Sequence, residues 1–419
     1  ILLSMRQSQL FTHSLKELPK DESSFNAQTL MRAGFIEKIS AGVYAYLPLG
    51  LRVFQKIEAI IRQEMASLGA QEVVLPSLTP EEPWQQTGRL ATFDVLFKTT
   101  GSDKKKYVLA PTHEEIITPL VKKFVQSYRD LPVGVYQIQT KFRNELRVKS
   151  GLLRGREFTM KDLYSFHLDQ DDLNAYYLAV QKAYFQILKR CGLLEQTYLT
   201  FASGGAFSQY SHEFQTVTEA GEDTIFICED CNLAINKGII KEQPVCPNCG
   251  RKDLVERRAI EVANIFKLGL KFSKAFNFTV ADAKGQRQPV IMGCYGLGLD
   301  RLLGAIVEVN HDNHGLIWPV EVAPFKAHLL DITTDPKGHH QAQNLYEALL
   351  KLGLEVLFDD RRQTPAGSKF ADADLIGCPY RLVVSDRTIE QDSFEIKRRR
   401  DTEGRLVNFD QVNTYFHSN

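Results

Sequence analysis

The feature that most constrains the fold is the stretch from 135 to 167, VYQIQTKFRNE followed by VKSGLLRG and REFTMKDLYSFH. The first arm alternates apolar and polar residues, the period of a strand with one buried face, and the second also reads as a strand. The join is polar and holds two glycines, as a turn requires. Two such strands predict an antiparallel hairpin. A hairpin is not stable alone, so it demands further strands and a covering layer. The spacing places Arg143 and Glu145 on one face of the first strand, with Arg154 and Phe158 on the returning strand. Guanidinium groups suit phosphate and an aromatic plane suits a stacked base. No GxxxxGKS or GxxxxGKT occurs, so a nucleotide held here would be held without a P-loop. The bland alternative is a surface hairpin with solvated ion pairs.

The rest of the chain extends this pattern. Residues 50 to 68 carry apolar residues at helical spacing and stop at Gly69; QEVVLP then reads as a strand. LAPTHEE runs from a strand into a helix start rich in acids. Residues 171 to 190 form an amphipathic helix. GCYGLGLDR is a glycine-rich strand end followed by a helix, with Arg301 at the helix start. WPVEVAPF is a connector. From about 326, strands and helices alternate, which predicts a separate α/β domain.

Lys+Arg and Asp+Glu both number 51, so bulk charge announces no nucleic-acid partner, although local basic patches can still bind one. At 419 residues the chain is long enough for two or three domains. No run of about 18 apolar residues appears, so no membrane helix is expected. ILLSM is too short for a signal segment, and Met5 reads as a natural start. These points favour the cytoplasm, or an organellar matrix after loss of a transit peptide. Of seven cysteines, Cys228, Cys231, Cys246 and Cys249 form two CxxC pairs 14 residues apart. That spacing reads as a zinc ribbon, either a nucleic-acid reader or a structural staple.

Taken in order, RxE, RxxxF and GxGxxR resemble motifs 2 and 3 of the class II aminoacyl-tRNA synthetases, and PLGLRVFQKIEAIIRQEM with VVLP resembles motif 1. RAGFIEKISAGVYAYLPLGLRV, LAPTHEE, GLLRGREFTMKDLYSFH, GCYGLGLDR and GLIWPVEVAPF resemble the bacterial-type prolyl members. DDRRQTPAGSKFADADLIGCPYRLVV resembles their anticodon-binding domain.

The resemblance implies an α+β catalytic domain over 1–325, an antiparallel sheet flanked by helices. It also implies a zinc-ribbon-like insertion at 225–256 and an α/β anticodon-binding domain over 326–419. It implies ATP, Mg²⁺ and structural Zn²⁺ as cofactors, and L-proline, tRNA(Pro) and a second copy in a homodimer as partners. Arg143 and Arg301 would be catalytic. Arg143, Glu145, Arg154, Phe158, Glu261, Asn264 and Arg301 would hold ATP. Thr112, Glu114, Arg143, Met160, His212 and Phe266 would hold proline, with Glu213 beside the pocket. Arg361 and Arg362, with the 397–400 KRRR run, would meet the anticodon. His113 and His167 read as structural. No acid–base residue is needed, because proline's carboxylate is already a nucleophile and catalysis is positioning plus charge neutralisation.

Departures from the family's pattern are Ala263 for Gly, Asn264 for His and Leu270 for Thr. Fewer than 40 residues separate GEDT from IEV, too few for the editing domain that many relatives insert there. A proline pocket excludes alanine by only about 1–3 kcal/mol per missing methylene. The expectation is therefore mischarging with alanine, left to a separate trans-editing factor or tolerated. Three rivals are weaker. A threonyl-type enzyme keeps zinc in its substrate pocket, but four thiolates leave zinc no open position. A dead paralogue would have lost Arg143, Arg301 or the THEE stretch. A zinc-ribbon transcription-type binder would not carry the other motifs.

Overall fold

The structure is a computed structural model and describes residues 4–205 and 207–412. In chain order, β1 is Ser4–Arg6, α1 is Pro48–Ser67, β2 is Gln71–Glu72 and α2 is Glu114–Phe124. The expected hairpin follows as β3, Val133–Phe142, and β4, Glu157–His167, antiparallel from Val133↔Phe166 to Phe142↔Glu157. Helix α3 is Gln170–Arg190, capped by the Asp169 carboxylate accepting from the backbone N–H of Asp172. Then come β5 (Thr197–Ser203), β6 (Tyr210–Val217), β7 (Asp223–Cys228), β8 (Leu233–Asn236), β9 (Val255–Gly269) and β10 (Ile291–Gly298). Helix α4, Leu299–Val309, follows directly on β10. The remainder alternates: β11 (Ala327–Asp331), α5 (Pro336–Lys351), β12 (Val356–Asp359), α6 (Ala366–Ile376), β13 (Tyr380–Val384), β14 (Ser393–Arg398) and β15 (Arg405–Asn408).

The chain forms two compact units. One comprises residues 38–44 and 57–305 and is built on a nine-stranded sheet, ordered β6-β5-β8-β7-β9-β10-β4-β3-β2. Its hydrophobic core gathers Ile117, Tyr164, Phe166, Phe272, Phe278 and Met292, all at most 1% exposed. The sheet also closes on itself in part. Strand β6 pairs with β9 as well as with β5, so β5, β6, β9, β7 and β8 pair in a circuit. The segment between the two CxxC pairs was expected as a self-contained ribbon. Instead it contributes β8 to that circuit, parallel to β5 and antiparallel to β7. Its apolar residues Ala234 and Ile235 are buried, so burial drew it into the main sheet.

The other unit comprises residues 1–37, 45–56 and 306–419. Its sheet is ordered β1-β12-β11-β13-β14-β15, parallel through β13 and antiparallel beyond. This is the expected α/β pattern with one addition. Strand β1 pairs with β12 in register Ser4↔Val356 to Arg6↔Phe358 and covers an edge that would otherwise be open. Arg6 anchors it, with Nη1 3.1 Å from Asp360 Oδ2 and Nη2 2.6 Å from Gln343 Oε1. Helix α6 ends at Gly377, whose φ of +77° suits glycine. A Cβ there would lie 2.1 Å from the Leu316 carbonyl oxygen, so no other residue fits. The QEVVLP strand is shorter than expected. Only Gln71 and Glu72 pair, because Gln139 donates its side-chain amide to Leu75 O and breaks the ladder. No helix among the described residues is long and apolar enough to cross a membrane.

Candidate active site

Side chains directly opposite on neighbouring strands share a face of a sheet. Strands β4, β10, β9 and β6 therefore set Asp162, Gly296, Asn264 and Glu213 in one row. Tyr164, Cys294 and Phe266 form the next row, and Met160 stands opposite Gly298. These rows floor a cleft of about 900 Å³, partly open to solvent. Thr112, Glu114, Arg143, Glu145, Arg154, Phe158, Glu261 and Arg301 also line it. Of the ATP- and proline-site residues expected above, eleven line this cleft and His212 does not; the four cysteines and the two arginines after β12 are not among its lining residues.

Arg143 and Glu145 were expected on a strand. They lie just past the end of β3: Arg143 N still donates to Arg156 O in the hairpin register, at 2.9 Å, and the chain then leaves the ladder, Asn144 N donating to Val95 O at 2.8 Å. Arg154 likewise precedes β4, while Phe158 lies within it, opposite Lys141. The convergence survives, because both loop ends hang over the same sheet rows. The Arg143 guanidinium lies over the Phe158 ring, 5.1 Å from its centroid. Among the described residues its side chain makes no ion pair, and its Nε is buried without a hydrogen-bond partner. Burial and then the charge of Arg301 lower its pKa. Glu261, Glu145 and Asp162 oppose that shift from a distance, but none of them pairs with Arg143, which leaves its guanidinium suited to an added anion.

Arg301 is braced. Its Nε donates to Leu153 O at 2.9 Å and its Nη1 to Glu261 O at 2.7 Å and Oε2 at 3.3 Å. Arg154 pairs with Glu145 and Glu222, each at 3.1 Å, on the exposed side. Asn264 Nδ2 donates to Glu261 Oε1 at 3.0 Å and lies 3.4 Å from Glu213 Oε1. Burial, then the Glu261 charge, push the Glu213 carboxyl up to about 8.

At the other end of the cleft, the Thr112 hydroxyl donates to Glu114 Oε2 at 2.7 Å. Behind it stands a buried set that sequence reasoning missed. Asp162 lies 3.3 Å from Lys141 Nζ and accepts from the Tyr164 hydroxyl at 2.6 Å. Burial raises the Asp162 pKa, but Lys141 and Tyr164 outweigh it and hold the carboxyl below its usual range. Asp162 is in phase with Phe158, Met160, Tyr164 and Phe166, so alternation marks it as inward, and that was the available signal. Lys141 is in phase with Gln137 and Gln139 and carried no such signal. His113 is structural as expected, bonded to Pro76 O at 3.0 Å and to Lys141, and held down to about 3 by burial and by Lys141. His167 is bonded to Asp172 and Ser165 at 2.8 Å each.

His212 is a correction. It pairs across from Ile265, so it points to the face opposite Glu213 and Asn264. There it bonds the Tyr177 hydroxyl at 2.7 Å and lines a separate cavity with Phe201, Tyr210 and Lys267. The site-facing member of SHEF is Glu213. In the other unit, Arg361 turns inward onto Asp359 and Asp372, at 2.7 and 2.8 Å, whereas Arg362 is exposed and lines a surface pocket with Arg6 and Asp360. Within the KRRR run Arg399 is also spoken for, chelating Asp312 at 2.7 Å through both terminal nitrogens. The four cysteine sulfurs all lie within 4.8 Å of one another, Cys228 Sγ and Cys249 Sγ at 3.6 Å.

The family described as "tRNA synthetase class II core domain (G, H, P, S and T)" matches residues 97–310, and "Anticodon binding domain" matches 320–419. The proline–tRNA ligase of Dehalococcoides mccartyi (strain 195) is 34% identical over 97% of this chain and 98% of its own length. The chain belongs to the proline–tRNA ligase family. The ligase of Moorella thermoacetica is 34% identical over 94% of this chain and 95% of its own. The Dehalococcoides alignment runs over 558 positions; 97% of a 419-residue chain fills about 406, so about 150 belong to the ligase relative alone. The fold agrees with solved structures. Giardia lamblia prolyl-tRNA synthetase in complex with prolyl-adenylate gives a TM-score of 0.77 at 20% identity, over 92% of this chain and 74% of that one. The Cryptosporidium parvum enzyme complexed with L-proline and AMP gives 0.76 at 19%, over 94% and 77%.

Proposed function

We propose that this chain activates L-proline with ATP to prolyl-adenylate and pyrophosphate, and passes the prolyl group to the 3′ end of tRNA(Pro). The observation that carries this reading is the half-buried Arg143, its Nε buried and unbonded and its side chain without an ion pair among the described residues, in one cleft with Arg301 and the Thr112–Glu114 pair. Arg143 draws the ATP α-phosphate and the proline carboxylate together, so that the carboxylate attacks phosphorus as pyrophosphate leaves. Arg301 and Arg154 hold the distal phosphates, Phe158 stacks the adenine, and Glu145 and Asn264 border the nucleotide. The Glu114 carboxylate and Thr112 hydroxyl accept the two N–H groups of proline's secondary ammonium. Met160 and Phe266 wall the pyrrolidine ring. Glu261 offers a carboxylate suited to Mg²⁺. Bound there, Mg²⁺ supplies charge neutralisation on the phosphates. Residues 1–325 serve catalysis and 326–419 anticodon recognition, where exposed Arg362 is a better placed contact than Arg361. The enzyme works as a homodimer in the cytoplasm or an organellar matrix. ATP–pyrophosphate exchange tests the whole reading: proline alone among the amino acids should support it, and exchange driven by threonine or by none would overturn it.

The cysteine cluster fits a closed zinc site. Four sulfurs at these separations match a tetrahedron with Zn–S distances of about 2.3 Å, and four thiolates leave no position for substrate. We assign it a staple role. The short 225–254 segment and the unmatched alignment positions support the absence of an editing domain. Purified protein should therefore charge tRNA(Pro) with alanine and leave Ala-tRNA(Pro) intact. Substantial deacylation by the protein alone would contradict this.

The glycines of GLGLDR leave room rather than make a turn. A Cβ at Gly296 would meet only Met160 Sδ at 3.7 Å and Asn264 O at 4.0 Å, ordinary contacts. Gly296→Ala should therefore unfold within about 2 °C of the wild type. A methyl group in the cleft should still raise the KM for ATP or proline by about ten-fold. Unchanged KM values would remove Gly296 from the ligand cradle.

A further inference from the structure

The Thr112–Glu114 corner is backed by Arg89, a residue outside every motif above. Arg89 opens the short helix Arg89–Thr92 and is 2% exposed. Its Nη1 stands 3.0 Å from Glu114 Oε2 and 3.1 Å from each oxygen of Glu115. Four rings enclose the guanidinium: Phe93 at 4.7 Å, Phe207 at 4.8 Å, Phe272 at 5.4 Å and Trp84 at 5.5 Å. Nε and Nη2 are buried with no hydrogen-bond partner among the described residues. Phe207 and Glu114 line the cleft, so this cage is the back wall of the site.

The contacts divide the two oxygens of Glu114. Oε2 is occupied by Arg89 and by the Thr112 hydroxyl. Among the described residues Oε1 meets only the Cys294 thiol, at 3.2 Å, and Cys294 lines the cleft. A thiol is a weak donor that an ammonium N–H displaces readily. The direct contacts are also unbalanced. One guanidinium touches two carboxylates, while Lys271 bears on both and Lys141 on Glu114 from farther off. Lys271, on the helix Lys271–Ala275, is the other charged group bearing on Glu115; Cys294 and Asp162 bear on Glu114 or Thr112. Burial and the Glu114 charge push the Glu115 carboxyl up to about 7, although Arg89 opposes them.

We propose that Arg89 is a positioning residue for proline: it pins Glu114 through Oε2 and leaves Oε1 to the substrate's secondary ammonium, whose positive charge completes the Arg89–Glu114–Glu115 cluster. This rests on the proline-activating reading. An ammonium entering the cluster favours the ionised form of Glu115, so proline binding is weakened as pH falls through that group's value.

The test is steady-state exchange on Arg89→Lys and Glu115→Gln. Arg89→Lys keeps the charge but loses the fork, and its shorter reach no longer spans both acids. The expected result is a proline KM raised about ten-fold or more, an ATP KM within about two-fold of wild type, and a near-native unfolding midpoint. In Glu115→Gln the rise in proline KM from about pH 8 to about pH 6 should flatten, because the titrating member is gone. Proline and ATP KM values rising together in Arg89→Lys would mean a merely structural role and overturn the proposal. A wild-type pH slope in Glu115→Gln would do the same, and decides the matter if Arg89→Lys does not fold. Absence of proline-dependent exchange in the wild type would instead overturn the underlying function.

Discussion

Arg143→Ala should lower kcat/KM for proline-dependent exchange by about 10³-fold or more while leaving the unfolding midpoint unchanged or slightly raised. The catalytic loss follows from what the side chain touches. A bidentate guanidinium that bridges attacking carboxylate and attacked phosphate contributes most in the transition state, where charge is greatest. The stability result follows from what it does not touch. Arg143 has no carboxylate partner among the described residues, its Nε is unbonded, and Arg301 repels it. Removing a half-buried cation with no ion pair costs the fold little beyond its contact with Phe158. Arg143→Lys should recover little activity, since a point charge cannot replace the fork. Exchange kinetics and thermal unfolding on the same preparations check both parts. Activity within about ten-fold of wild type would remove Arg143 from the reaction centre.

Cys246→Ser should release about one zinc equivalent per chain and lower the unfolding midpoint by roughly 5–10 °C. Cys228 and Cys246 are 1% and 2% exposed, and Cys228 ends β7 within the closed circuit of strands. Losing the clamp frees the loops at both ends of β8, and with them the start of β9, which carries Glu261 and Asn264 into the cleft. Catalysis should therefore fall with the metal, by less than in Arg143→Ala. Metal analysis beside calorimetry tests this. Wild-type protein without zinc, or a variant of native stability, would end the staple assignment.

Much of this was legible in the residues. The alternation through 135–142 and 157–167 yielded the hairpin, and the glycines of GLGLDR marked the strand that carries the cleft. The limits have physical causes. Arg143 and Glu145 sit two apart, which reads as a strand face, but after the Arg143–Arg156 rung the chain bonds to Val95 through Asn144 and leaves the hairpin. Arg89 and Lys141 look like surface charges in a one-dimensional reading, since burial of a charge depends on partners brought from distant segments. The choice of His212 over Glu213 failed on a single residue of register, which in a strand exchanges one face for the other. The strand SMR, residues 4 to 6, is too short for any period to declare itself.

That last strand bears on how the molecule is made. Ser4 and its neighbour Val356 are separated by about 350 positions, among the most non-local pairings a chain of this size can contain. The segment is synthesised early and must wait, unpaired, until nearly everything else has been translated. Until then β12 has no partner on that side, and the last sheet to form keeps an adhesive edge. Vectorial synthesis can therefore finish the nine-stranded unit as it emerges, but maturation of the second must follow release of almost the full polypeptide. A nascent chain stalled shortly after residue 384 would carry strands β11 to β13 ready for closure, and the arrival of residues 4 to 6 would be the step that a holding chaperone most directly delays.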